Sequence, residues 1–264
     1  RLAPLMGELR IEKTEIETAL IRKACDITEA GFRRVLQFIK PGVKEYEIEA
    51  ELIHEFLSHG SDGFAYDPII GSGKNACVLH YLENHDTCED GEMVLMDVAA
   101  RYANYNSDLT RTVPVNGKFS ERQRAVYNAV LRTLRACEQM LKPGVVIKDY
   151  QEQVGLKVQE ELLALDLITQ KDVDDQDEEK PAYKKYFMHG TSHHLGLDVH
   201  DVGDNWAPVR EGMVFTIEPG IYIREENLGC RLENDYLITA DGALNLMEDI
   251  PIEADEIEEL MNNA

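Results

Sequence analysis

Apolar residues recur at mixed three- and four-residue spacing through the first forty positions. Ile11, Ile16, Leu20, Ile21, Ala24 and Ile27 follow this pattern, which predicts an amphipathic helix over about residues 12–39. Lys40-Pro41-Gly42 then stops it, because proline cannot continue a helix and glycine turns the chain. A second helix is predicted over about 44–58, ending at Gly60. Further on, Ser120-Glu121-Arg122-Gln123 has the spacing of a capping box, in which Ser120 accepts from the third amide and Gln123 reaches back. The helix it opens runs to about Leu141, Lys142-Pro143-Gly144 stops it, and another helix follows over about 147–165.

The two Lys-Pro-Gly stops belong to a longer echo. "QFIKPGV" from Gln37 matches "QMLKPGV" from Gln139, and each copy reads helix, turn, helix. Downstream, "GEMVLMD" ends on Asp97 and "GMVFTIE" on Glu218, each six residues after a glycine. His80 precedes Asp97 by 17 residues, and His200 precedes Glu218 by 18. Two copies at a period of about a hundred residues predict a duplicated unit rather than a solenoid. Its halves, about 12–118 and 120–250, are expected to be related by a pseudo-twofold. The acidic run "KDVDDQDEEK" at 171–180 reads as a solvated loop, since it lacks the glycine and terminal glutamate of an EF-hand.

Strand-like patterns carry the carboxylates. "EMVLMDVAARYANYNSDLTRTVPV" reads as two strands joined near Tyr102–Asn104. With the hairpin centred between Tyr102 and Ala103, Asp97 and Asp108 face each other, their Cβ atoms about 5 Å apart. "VFTIEPGIYIREENLGCRLENDYLIT" repeats the device, with Glu218 opposite Glu233 if the turn centres near Glu225–Glu226. Pro219 and Gly220 are expected to bend that strand as a bulge. A single pair could be answered by a salt bridge to Arg111 or Arg231. Two symmetric pairs inside apolar strands argue for a cation, which removes the repulsion between buried acids.

Half of the eight histidines lie between Tyr186 and Gly203: His189, His193, His194 and His200. On these residues alone, a metal or catalytic site and a polar loop fit equally well. One imidazole added to four carboxylates makes a donor set too anionic for one divalent ion and suited to two ions bridged by shared carboxylates. Its oxygen-rich character favours harder ions such as Mn²⁺.

Composition narrows the partners. Hydrophobic residues make up 44% of the 264, ample for a core, and the formal net charge is −23. That balance argues against nucleic acid and against an anionic membrane surface. The sequence has no membrane-length apolar run and no signal-peptide core. Five cysteines without CxxC spacing suggest free thiols in a reducing compartment, taken as the cytoplasm. The chain begins with Arg1 and is expected to be processed or a fragment.

"DVAARYANYNSDLTRTVPVNGKFSERQRAVYNAVL", "HGTSHHLGLDVHDVG", "GMVFTIEPGIYI" and "RLENDYLIT" together resemble the M24 metallopeptidases, nearest their Xaa-Pro aminopeptidase branch with prolidase next. The resemblance covers about residues 10–260. It implies an α/β pita-bread fold, a curved, mainly antiparallel sheet with outer helices, and one catalytic domain over 1–264 lacking the family's N-terminal domain. It implies metal ligands at Asp97, Asp108, His193, Glu218 and Glu233, holding two divalent ions, Mn²⁺ by preference with Zn²⁺ or Co²⁺ as alternatives. Asp108 and Glu233 would bridge, and a hydroxide shared by the ions would attack an X-Pro bond. Glu218 would also move the proton. His80, His189 and His200 would line the scissile peptide and proline pocket, with Tyr222 and Arg231 beside the metals, while His194 would be pocket wall or surface. The implied substrate is a peptide with proline second, with room for a homo-oligomer. Prolidase activity and a non-catalytic binding module stay open as rivals. The spacing from His193 to His200 fits methionine aminopeptidase less well.

Overall fold

The three- and four-residue periodicity folds as a helix over Glu15–Phe38, opened by a Thr14–Glu17 capping box. Its buried stripe starts at Ile21 and continues through Ala24, Ile27, Phe32 and Val35, whereas Ile16 in the first turn stays 75% exposed. The structure is a computed structural model and describes residues 2–177 and 180–263. The acidic run at 171–180 thus includes Glu178 and Glu179, which lie outside the described residues.

Seven helices are described: α1 (Leu2–Ile11), α2 (Glu15–Phe38), α3 (Glu45–Ser58), α4 (Glu121–Met140), α5 (Ile147–Ala164), α6 (Gln170–Asp174) and α7 (Ala254–Asn262). The first-half strands are β1 (Gly63–Phe64), β2 (Ile69–Ser72), β3 (Met93–Asp97), β4 (Ala100–Tyr102), β5 (Tyr105–Asn106) and β6 (Thr110–Pro114). Those of the second half are β7 (Val214–Ile217), β8 (Gly220–Ile223), β9 (Leu228–Arg231), β10 (Asn234–Thr239) and β11 (Gly242–Asn245). They form antiparallel groups ordered β1-β4-β5, β2-β3-β6, β11-β10-β7 and β8-β9. One apolar cluster runs from Ile21 of α2 through the strands to Ile257 of α7. No described helix is long and apolar enough to cross a membrane.

The echo is physical. Both Lys-Pro-Gly turns put glycine at positive φ, +96° at Gly42 and +89° at Gly144. The Gly42 amide donates to Cys88 and the Gly144 amide to Val209, each at 2.9 Å. Cys88 and Val209 return the bond to Val43 and Val145. Each turn therefore pins the end of a loop, and those loops carry His80 and His200. The predicted Ser120–Gln123 capping box is present and opens α4.

The two hairpins differ in register from each other. In the second, Asn234 pairs with Ile217 and Gly220 with Arg231, so Glu218 lies opposite Glu233 as expected. The strand breaks at Pro219 without gaining a residue, a bend in place of the expected bulge. In the first, Asp97 pairs with Thr110, not Asp108. Ala103 and Asn104 both take positive φ in a two-residue turn between Tyr102 and Tyr105, which moves the hairpin centre by one position. Asp108 is left one diagonal step from Asp97 on the same face.

Gly229 in β9 runs against the backbone at Ala76, where an added Cβ would sit 2.1 Å from the Ala76 carbonyl oxygen. Gly229→Ala is expected to destabilise the fold by roughly 1–3 kcal/mol, read as a lower thermal midpoint. Gly7→Ala, in α1 with nothing within 4 Å of its Cβ position, should leave that midpoint unchanged or raise it slightly.

Candidate metal centre

Strands from both halves deliver acids to one cleft of about 590 Å³. Asp97 ends β3, Asp108 precedes β6, Glu218 follows β7 and Glu233 precedes β10. His193 comes from the segment edge-paired to β7, its carbonyl accepting from the Thr216 amide at 3.0 Å. Ligand atoms of Asp108, His193 and Glu233 all lie within 4.8 Å of one another. His193 Nε2 is 3.5 Å from Asp108 Oδ2 and 3.8 Å from Glu218 Oε1. Its Nδ1 lies 3.0 Å from the His194 carbonyl, which assigns the Nδ1–H tautomer and turns Nε2 toward the acids.

Asp97 is joined to this group differently. Its Oδ2 accepts from Arg231 Nη2 at 2.5 Å, and its Oδ1 lies 2.6 Å from the Tyr66 hydroxyl. The same hydroxyl is 2.6 Å from Asp108 Oδ1. A phenol has one proton to donate, so it satisfies one carboxylate and leaves the other facing an oxygen lone pair. Arg231 is 4% exposed and spends its remaining donors on Thr110 and Tyr222. The salt bridge to Arg231 weighed as the answer to a single pair of acids therefore exists, for Asp97. Arg111 makes none; it donates to the carbonyls of Pro251, Thr110 and Glu233 and to the Asn234 side chain.

Electrostatics show how costly the cluster is without a cation. Burial raises the Glu233 carboxyl well above its ordinary range, and the charges of Asp108, Glu218 and Asp97 add to it. Burial lifts Glu218 to about 7, Arg231 and His193 opposing. Asp97 is raised by burial, with Arg231 pulling the other way. Burial acts to lower His193, but its hydrogen bond to Asp108 and the charges of Asp108 and Glu218 override that and hold it at about 9. An oxygen-rich donor set with one correctly turned imidazole and mutually raised acids fits divalent cations.

The remaining histidines take distinct places. His80 and His200 line the cleft, the His200 ring 4.3 Å from that of His193. His189 also lines it, with Nδ1 2.7 Å from the Gly190 carbonyl and Nε2 2.8 Å from the Tyr222 hydroxyl. Burial and the Arg231 charge lower its imidazole to about 3, so it is neutral at neutral pH. Tyr222, expected beside the metals and as a substrate-binding residue, is 1% exposed and stands behind His189, outside the cleft wall. His194 is neither pocket wall nor surface. It is 4% exposed and packs on Phe215, ring centres 4.2 Å apart, because its segment pairs edge-on with β7.

Two residues carried no pattern that would single them out. Tyr66 is an isolated aromatic in a loop. Glu45 opens α3 and is fully buried, accepting from the Ser72 amide and hydroxyl, Asn75, the Tyr81 hydroxyl and the Asp86 amide. That clamp holds the loop carrying His80.

A sequence profile of metallopeptidase family M24 matches residues 19–240, and the chain belongs to that family. The Xaa-Pro aminopeptidase of Escherichia coli is 39% identical over 98% of this chain and 61% of its own length. Human Xaa-Pro aminopeptidase 3 is 35% identical over 98% of this chain and 53% of its own. Zinc-substituted aminopeptidase P of E. coli, solved with product, superposes at a TM-score of 0.92 with 38% identity, covering 98% of this chain and 61% of that one. The fold is accordingly the pita-bread fold of that family. The chain spans about three-fifths of the E. coli relative's length.

Both Glu218 and His193 are raised above their ordinary values of 4.5 and 6.5. A raised group binds more protons folded than unfolded, so its stabilisation is lost as pH rises through the folded value. Glu218 makes its loss mainly between about pH 4.5 and 7, and His193 between about 6.5 and 9, so the metal-free protein should lose roughly 5 °C of thermal midpoint across the second window. The lowered imidazoles of His189 and His194 act only below their ordinary 6.5. Added Mn²⁺ should raise the midpoint and flatten the slope. A metal-free profile that is flat across this window would contradict the electrostatic account.

Proposed function

We propose that this chain is a single catalytic domain, built from two related halves, of a metal-dependent exopeptidase that hydrolyses the bond between an N-terminal residue and a following proline. The observation that carries this is the convergence of Asp108, His193 and Glu233 at the floor of a cleft ringed by His80, His189 and His200. The relatives named Xaa-Pro aminopeptidase support the reading.

In this reading Asp108 and Glu233 would hold two divalent cations jointly, with Asp97 on one side and His193 and Glu218 on the other. Mn²⁺ suits the hard oxygen donors, with Zn²⁺ or Co²⁺ as substitutes. Bound there, divalent cations would acidify water and polarise the scissile carbonyl. Glu218 takes the proton of the attacking water and passes it to the leaving proline nitrogen, which is a poor leaving group until protonated. His80 and His200, which line the cleft, donate to the carbonyl oxygen as it gains charge and seat the proline ring. Neutral His189, held by the Gly190 carbonyl and by Tyr222, which Arg231 bonds in turn, orients the peptide beyond proline. Five free and buried cysteines suit a reducing compartment such as the cytoplasm.

The test combines metal analysis with a substrate panel. The Mn²⁺-loaded protein should cleave X-Pro-Y peptides and spare X-Ala-Y peptides, and Glu233→Gln should bring bound metal below two per chain. His200→Ala should lower kcat roughly 10²–10³-fold with both ions retained. Cleavage confined to X-Pro dipeptides would make the protein a prolidase, and two metals without any cleavage would make it a binding module.

A further inference from the structure

A second cleft of about 560 Å³ adjoins the first, and His189, Gly190 and Ser192 line both. Its floor is aromatic. Tyr183 and Phe187 have ring centres 6.4 Å apart, and Phe187 meets His189 edge-on at 4.8 Å. Its rim carries Trp206, 72% exposed and the chain's one tryptophan, with Lys148 Nζ 5.0 Å from the ring centre. The Lys148 amide donates to the Asn205 carbonyl at 3.4 Å, and Val146 bridges Pro208, so the tryptophan and lysine are mounted together. Lys184 stands on the same wall without an acid partner among the described residues. Glu152, 4.0 Å from Lys148, offsets one of the two cations. A cationic spot on a chain of net charge −23 is a local exception.

We propose that this second cleft seats the leaving side of a peptide substrate, the residues after proline, with Trp206 as a stacking platform and Lys148 and Lys184 binding the C-terminal carboxylate. The proposal rests on the exopeptidase reading above. The shared wall supports the direction: the substrate's ammonium group is drawn to the acid cluster, and its carboxylate to the lysines at the other outlet. The volume is that of an ordinary small-ligand pocket. The consequence is a preference for short peptides with a free C-terminus.

The sole tryptophan makes occupancy directly readable. Titrating the Mn²⁺-loaded protein with Pro-Leu-Leu should give a saturable change in tryptophan emission. The free acid should bind about tenfold more tightly than its C-terminal amide, the scale of one charge-assisted contact. In the K148A/K184A double variant the acid should fall to the affinity of the amide, and the amide should be unaffected. On X-Pro-Leu-Leu the same variant should raise KM about tenfold at constant kcat. No emission change, or equal affinity for acid and amide, overturns the cleft assignment even if X-Pro cleavage is intact. Discrimination retained without X-Pro cleavage overturns the enzymatic reading alone.

Discussion

Four carboxylates in one cleft, Asp97, Asp108, Glu218 and Glu233, are the constraint the rest of the structure answers to. Among the described residues a single buried guanidinium, Arg231, faces them, and it bonds directly only to Asp97. The polypeptide thus compensates one of four like charges directly, and burial holds the Glu218 and Glu233 carboxyls above their ordinary range. A cation relieves the repulsion without any change in backbone. Binding it is therefore coupled to folding free energy, since the unfolded chain presents no such cluster.

Holding acids that repel requires a rigid frame, and the strands that carry them supply it. Each half ends a buried strand on or beside an acid and crosses to the other half nearby. Thr110 Oγ1 donates to Glu233 at 2.7 Å, and the Glu233 amide donates to the Thr110 carbonyl at 3.0 Å. The Thr112 hydroxyl bonds the backbone of Arg231 in both directions. These contacts stitch the central strands of the two halves, so the acids cannot move apart without breaking a buried ladder. The histidine loops hang from the periphery of this frame. Each is fastened at one end by a Lys-Pro-Gly turn, and the first also by the Glu45 clamp. A carboxylate accepting five hydrogen bonds in the core is costly only if a donor is removed.

How much of this was legible depended on the range of the interaction. Helix ends were readable because caps and stops are local, as at Ser120, Gly42 and Gly144. The Glu218–Glu233 pairing was readable because the hairpin has one continuous register through the Pro219 break. The Asp97 pairing was misplaced because Ala103, a residue that rarely takes positive φ, sits in the two-residue turn. His194 was misplaced because its burial comes from β7, which lies twenty positions downstream. Tyr66 and Glu45 were invisible for the same reason. Their partners, Asp97 and Asp108 for one and Ser72 to Asp86 for the other, are set by tertiary contact and leave no periodic trace. The metal-ligand set itself came from the family resemblance. The facing acids alone supplied only the expectation of a cation.

Tyr66 shows how the acids communicate. Its hydroxyl lies equally close to Asp97 and Asp108, and one proton cannot satisfy both. Whichever acid is left without it faces an oxygen lone pair with no donor from Tyr66. Asp97 already has Arg231, so the unmet demand falls on Asp108, which also faces His193 at 3.5 Å. The backbone behind Asp108 reinforces this placement, since its amide donates to Oδ2 of the fully buried Asp235, the same oxygen that accepts from the Cys25 thiol. Asp108 is thus fixed from behind by an acid that cannot turn outward and pressed from the front by a phenol it must share. Its free oxygen is directed to the point where His193 and Glu233 also converge. That geometry makes Asp108 the residue that joins the Arg231-compensated half of the cluster to the His193 half.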